Sequence, residues 1–236
     1  MPVLYRDSAL VVVNKPPGMI VHRGWAQDTV TALAVVRAMV GHWVYPVHRL
    51  DRATSGVLVF ALSPEIASRL GEAFMSQHVE KRYLALVRGF APEQALVDHP
   101  IAKEKGKPKL AAVTRVTRLE SYAVTDELTQ VSRRYSWVEA VPLTGRPHQV
   151  RRHLKHINHP IIGDVRYGKG EHNRLFRRRF GLERMALHAA SLCLPHPIDA
   201  TPLLVSAPLP ADLAELRAAL SLEPEAAPSS STPETA

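Results

Sequence analysis

A chain of 236 residues that is 46% hydrophobic and 22% charged has the balance of a globular protein with a buried core, which excludes an intrinsically disordered class. Its formal charge of +8 is uneven: the tail holds Glu223, Glu225 and Glu234 and no basic residue, so residues 1–220 carry +11. A body this basic points to a polyanionic partner, and without a basic amphipathic helix bearing a large aromatic face, nucleic acid is preferred to an anionic membrane. Cys193 is the only cysteine, which excludes an intramolecular disulfide framework and a cysteine-rich metal site; it is expected as a small core hydrophobe. The early apolar run, Leu10 to Val13, is too short for a signal-peptide core, and no stretch reaches membrane-spanning length, so a soluble cytoplasmic protein is expected.

In chain order, Leu10-Val11-Val12-Val13 predicts a buried strand, closed by the turn signal Asn14-Lys15-Pro16-Pro17-Gly18. Residues 29–40, with Val30, Leu33, Val36 and Val40, suit an amphipathic helix. Next comes His48-Arg49-Leu50-Asp51-Arg52-Ala53-Thr54-Ser55-Gly56, between an apolar approach (Trp43 to Val47) and an apolar run (Val57 to Leu62). This reads as strand, tight loop, strand. Asp51 lies between two arginines, and nearby opposite charge favours an ionised carboxylate, which can act as a nucleophile.

A second helix is marked by Ser63 as N-cap, Pro64 at its first position and Ile66, Leu70 and Phe74 at fourfold spacing; it should run to about Gln77. Residues 79–89 alternate as a strand, with Lys81, Tyr83, Ala85 and Val87 on one side. Further strands are expected at 96–101, 111–120 and 133–143, and Lys103, Lys105, Lys107 and Lys109 lie in a loop where solubility explains them as well as RNA contact does. Pro147 to Ile157 predicts a helix with Val150, Leu154 and Ile157 inward and His148, Arg151, Arg152 and Lys155 outward. From Arg166 to Arg184 seven cations, Arg174, Arg177, Arg178 and Arg179 among them, face only Glu171 and Glu183, an excess suited to phosphate contacts. Met185 to Leu194 reads as a core strand ended by Pro195, and Pro210 to Leu220 as a last helix. Residues 221–236 turn to Glu, Pro, Ala, Ser and Thr, and are expected to be disordered.

Four stretches, HRLDRATSG, KRY, TGRPHQVRRHL and LHA, occur in the order of the RluA family of pseudouridine synthases, whose active-site motif HRLDxxTSG the first resembles and whose TGRxHQLR the third resembles with Val150 for leucine. The resemblance covers residues 4 to 220. It implies an α+β fold: one catalytic domain over residues 1–220, on a mixed, largely antiparallel sheet flanked by helices and loops, with no S4 domain. It also implies a monomeric RNA isomerase that needs neither cofactor nor metal.

By motif position Asp51 is the nucleophile, Tyr83 stacks on the base and can serve as general base, Arg146 pairs with Asp51, and Arg49 helps push the target nucleotide out. Arg52, Lys81, His148, Arg151 and Arg152 are carried as RNA-binding residues, with Arg174 and Arg177 to Arg179. The segment 172–184 leading into LHA resembles the TruC branch, which modifies a uridine in the T-stem region of tRNA; a ribosomal RNA uridine is the alternative. Uridine becomes pseudouridine when the N1–C1′ bond breaks, the uracil turns and C5 joins C1′. C5 is inaccessible in a stacked helix, so the base must be flipped, and arginines with an aromatic ring can replace the lost stacking.

Two other classes compete. His148, His153, His156 and His159 invite a zinc site, but they lack a cysteine or HExxH frame and point in several directions on a helix. A non-catalytic RNA-binding protein explains the charge equally well. It does not explain a carboxylate in a cationic pocket, which opposes phosphate unless it has other work.

Overall fold

The computed structural model describes residues 1–23, 30–104 and 106–223. The strands are β1 (Val3–Arg6), β2 (Leu10–Lys15), β3 (Tyr45–Pro46), β4 (Ser55–Ala61), β5 (Glu80–Arg88), β6 (Gln94–Asp98), β7 (Ile101–Ala102), β8 (Lys109–Leu110), β9 (Val113–Asp126), β10 (Val131–Pro142), β11 (Leu187–Pro195) and β12 (Pro202–Ser206). The helices are α1 (Ala32–Val40), α2 (Pro64–Met75), α3 (Gln149–His156), α4 (Gly170–Phe180) and α5 (Ala211–Ser221). The main sheet runs β1-β2-β4-β11-β5-β10-β9-β6, with β3 paired to β4 and β12 to β11, while β7 and β8 form a separate hairpin. Among the named strands of the described residues, only β4 and β11 pair in parallel. The sheet is therefore mixed and largely antiparallel, as the resemblance implies.

Alternation along β5 divides the core between the two sheet faces. Ala85 and Val87 pack with Val150 and Leu154 of α3, whereas Leu86 packs with Leu175 and Phe176 of α4 and Leu213 and Leu216 of α5. Each fully buried Leu or Phe contributes about 1.5–3 kcal/mol. The caps follow the sequence: Ser63 accepts from Ile66 N, and Thr31 accepts from Ala34 N. Thr29, expected in the first helix, Lys105 of the lysine loop, and residues 224–236 of the expected disordered tail lie outside the described residues.

Several expectations need correction. The helix expected from Pro147 is shorter, and it buries Arg151 and His153 along with Val150 and Leu154, so Arg151 does not belong to an outer basic face. Cys193 is half-buried on β11 and is not a core residue. The last helix ends at Ser221, one residue past the expected Leu220. The four histidines diverge: His153 binds Thr114 Oγ1 and the His99 carbonyl, His156 stacks on His99, His159 binds the Arg88 carbonyl, and His148 turns toward Asp51. Among the described residues no helix is long and apolar enough to cross a membrane.

Candidate active site

Strand register brings the motifs together. β4 meets β11 with Gly56 opposite Ala189, and Ala189 is opposite Tyr83 of β5, so the loop entering β4 arrives two strands from Tyr83. Gly56 has φ +117°, and a Cβ there would stand 2.1 Å from the Ala189 carbonyl oxygen. No other residue type permits that approach. Tyr83 is also opposite Ala140 of β10, the strand that runs into the Thr144–Gln149 turn and α3.

The Asp51 loop is braced from three sides. Thr54 N donates to the Asp51 carbonyl (3.0 Å), and Gly18 N donates to the Arg52 carbonyl (2.8 Å). The buried Lys15 Nζ donates to the carbonyls of Pro16, Met19 and Arg52. Burial and the Arg184 charge push this lysine down to about 8, against the opposing charge of Asp51. His48 accepts from Val59 N (3.0 Å) and stacks on Phe74. Burial, with Lys81 nearby, pushes its imidazole down to about 3, so it stays neutral and can accept that bond.

Asp51 itself is held by Arg151, whose Nη1 donates to Oδ2 at 2.8 Å. The expected pairing with Arg146 is not what the structure contains: Arg146 Nε donates to the Ala111 carbonyl (3.0 Å). Arg151 is aimed by a residue that sequence reasoning missed. Asp164 accepts Arg151 Nε (2.7 Å) and Nη2 (2.9 Å), while its Oδ1 also accepts the amides of Arg166 and Tyr167. Burial opposes charge on Arg151, but the hydrogen bonds and charges of Asp164 and Asp51 outweigh it and raise its pKa. The only signal for Asp164 was its place after a glycine turn, a pattern shared by many structural aspartates.

Gln149, also missed, closes the start of α3. Its Oε1 accepts from Thr144 Oγ1 (2.7 Å) and Arg146 N (3.0 Å), and its Nε2 donates to the Val113 carbonyl (2.9 Å). Together these elements wall a cavity of about 660 Å³ that Arg49, Asp51, Lys81, Tyr83, Arg146, His148 and Arg151 all line. That volume is within the range of small-ligand sites and suits one flipped nucleoside. Tyr83 is half-buried there, and burial together with the charge of Asp51 raises its phenol well above the usual value. It therefore presents an uncharged ring.

The remaining predicted residues lie elsewhere. Arg52 is exposed beside Asp51, and Arg152 donates to the Ala102 carbonyl, tying α3 to the β7–β8 hairpin. Arg174, Arg177, Arg178 and Arg179 are on α4, outside the cavity. Arg177 meets Glu183 at 2.8 Å, Arg178 meets Asp126 at 2.7 Å and Arg179 meets Glu223 at 2.5 Å. Asp126 and Glu223 reach α4 from distant parts of the chain, which counting charges along the segment could not reveal.

tRNA pseudouridine synthase C of Vibrio cholerae is 42% identical over 224 residues, covering 89% of this chain and 91% of that protein. The Haemophilus ducreyi protein of the same name is 41% identical over 220 residues, covering 88% and 90%. Among solved structures, human RNA pseudouridylate synthase domain containing 4 superposes with a TM-score of 0.73 at 28% identity, covering 93% of this chain and 92% of that one. The RNA pseudouridylate synthase family profile matches residues 9–156, a span holding the Asp51 loop, Tyr83 and Arg151, and the chain belongs to that family, in its RluA-type, tRNA pseudouridine synthase C-like branch.

Proposed function

We propose that this protein is a tRNA pseudouridine synthase that isomerises a uridine in the T-stem region, with Asp51 as nucleophile. The observation that carries the reading is the carboxylate itself: Asp51 has Oδ2 fixed by Arg151 at the wall of a nucleoside-sized cavity that also presents Tyr83. A carboxylate weakens phosphate binding, so a pure RNA-binding protein has no use for one in this position, whereas an isomerase needs a nucleophile there. Arg49, exposed at the rim, takes the place vacated by the flipped nucleotide, and Tyr83 stacks on the uracil. Arg146 and Lys81 contact the RNA around it. The names of the relatives support tRNA as the substrate class.

The isomerisation balances without a cofactor. The N1–C1′ bond breaks, C5 bonds to C1′, the C5 proton leaves, and N1 gains one. Incubation of the pure protein with total tRNA and with ribosomal RNA, followed by mapping of pseudouridine at single-nucleotide resolution, tests the assignment. A T-stem tRNA site modified by wild type and not by Asp51→Asn is expected. Product only in ribosomal RNA would replace the substrate, and turnover by folded Asp51→Asn would remove the nucleophile.

A further inference from the structure

Building on the pseudouridine synthase reading, we propose that His148 carries the proton away from C5 of the uracil, its ring oriented for this by Tyr167. Once C5 has bonded to C1′ it still holds its hydrogen, and N1, released from the sugar, is the imine nitrogen of a C6=N1 bond. His148 Nε2 takes the C5 proton, the C–H electron pair becomes the C5=C6 bond, and the C6=N1 pair moves onto N1. N1 then takes a proton from the imidazolium or from water, so no proton is consumed overall.

Position is the main support. His148 lines the cavity, and its Nε2 lies 3.8 Å from Asp51 Oδ1, on the oxygen that Arg151 does not hold. Its other nitrogen, Nδ1, is 3.0 Å from the Tyr167 hydroxyl, with the two rings edge to face. The backbone there is left-handed, φ 54° and ψ 28°, an uncommon conformation for a residue with a side chain. The Arg152 N to His148 carbonyl bond that opens the helix holds it (2.9 Å). Such a conformation persists only where surrounding structure imposes it, and functional sites are where it concentrates.

The other groups on the cavity wall are less suited. Tyr83 is a phenol kept protonated by burial and by Asp51, so it has no anion with which to take a proton. Lys81 lines the same wall with its amine lowered by burial, but among the described residues no ion pair joins it to Asp51 as one joins His148. The charged groups around His148 are Asp51, Arg151, Arg166 and Asp164, with Arg151 bridging the two carboxylates, and the Tyr167 hydroxyl lies against Nδ1. Burial, with those arginines, outweighs the carboxylates and lowers the imidazole, leaving it neutral and able to accept at pH 7.

The test is single-turnover conversion of tRNA carrying hydrogen or deuterium at C5 of the target uridine, with saturating enzyme. His148→Asn is the primary variant because Asn tolerates the left-handed backbone, and His148→Gln is the second. Both should lose about 10²–10⁴-fold in rate, the range of general-base catalysis, and should show a larger C5 isotope effect than wild type measured alongside. tRNA affinity should stay within about threefold, since the wall loses no phosphate-binding cation. Tyr167→Phe should show the same isotope signature with a smaller loss. Rates near wild type, a loss without that larger C5 isotope effect, or loss of tRNA binding by both variants would each overturn the assignment. Failure of wild type to form pseudouridine in tRNA would instead strike the underlying reading.

Discussion

Asp164 is 2% exposed and binds Arg151 through both oxygens, which leaves Nη1 of the guanidinium for Asp51. Three of the five N–H donors of Arg151 are thus assigned by two carboxylates, and a lysine, with one point charge on a flexible stem, could not serve both. Arg151→Lys is expected to lose nearly as much activity as Arg151→Ala, and Asp164→Asn about 10–100-fold in kcat with KM little changed, the scale seen when a supporting contact to an active group is removed. Steady-state kinetics on the three variants checks this; full activity in Arg151→Lys would mean that the fork is not what orients Asp51. The family resemblance points to Asp51 but gives its partner as Arg146 by motif position, and the local pattern offers nothing to correct it. Both arginines lie in one motif, and a helical wheel places Arg151 outward with the other charges. What turns it inward is Asp164, thirteen residues on, and a buried ion pair of this kind leaves no trace in local periodicity.

At the level of elements, the β1–β2 connection is stabilised by a single carboxylate. Asp7 accepts from Ala9 N (2.7 Å), Leu10 N (2.9 Å), the Tyr5 hydroxyl (2.7 Å) and His196 Nε2 (2.8 Å). Burial works to raise its pKa, but the bonds from Leu10, Tyr5, Ala9 and His196 prevail and hold it down to about 2. A carboxylate depressed on folding contributes stability above its unfolded pKa and loses it as pH falls through the folded one. Asp7 therefore stabilises the fold near neutrality, by an amount reduced by solvent screening of this partly exposed group, and the contribution fades between about pH 4 and pH 2. Urea unfolding of Asp7→Asn should show that deficit at pH 5 and a narrowing gap toward pH 2; an equal gap at both would contradict it. Elements with strong local signals were legible in this way from residues alone: α2 from Ser63 and Pro64, β2 from its valines, α5 from Leu213, Leu216 and Leu220. β1 and β12 were not, because strands as short as Val3–Arg6 and Pro202–Ser206 become strands only through their neighbours. The order of the sheet came from the family resemblance only in outline, since strand pairing is a tertiary property.

For the whole molecule, the question is which of the cations behind the net charge of +8 are available to RNA. Arg177, Arg178 and Arg179, the densest cluster in the sequence, each meet a carboxylate that a phosphate would have to compete with. By contrast, among the described residues no carboxylate bridges Lys107, Lys109 or Lys155. All three are exposed. Lys109 lies on the β7–β8 hairpin, which Arg152 ties to α3, and Lys155 lies on α3 itself. Lys109 and Lys155 thus lie on two elements that are joined to each other, the β7–β8 hairpin and α3, and α3 begins at the cavity wall. Neutralising a phosphate releases condensed counterions, and each lost contact flattens the slope of log affinity against log salt by about 0.7 to 0.9. Joint replacement of Lys107, Lys109 and Lys155 by Ala should weaken tRNA binding and flatten that slope by up to about 2 to 3 in total. Joint replacement of Arg177, Arg178 and Arg179 should change the slope by less than about one contact's worth and lower the melting temperature instead, since exposed ion pairs contribute up to about 1 kcal/mol each. Salt titrations of tRNA affinity for both triple variants, read beside their melting curves, separate the two sets; the opposite ranking of slopes would assign the tRNA backbone to α4.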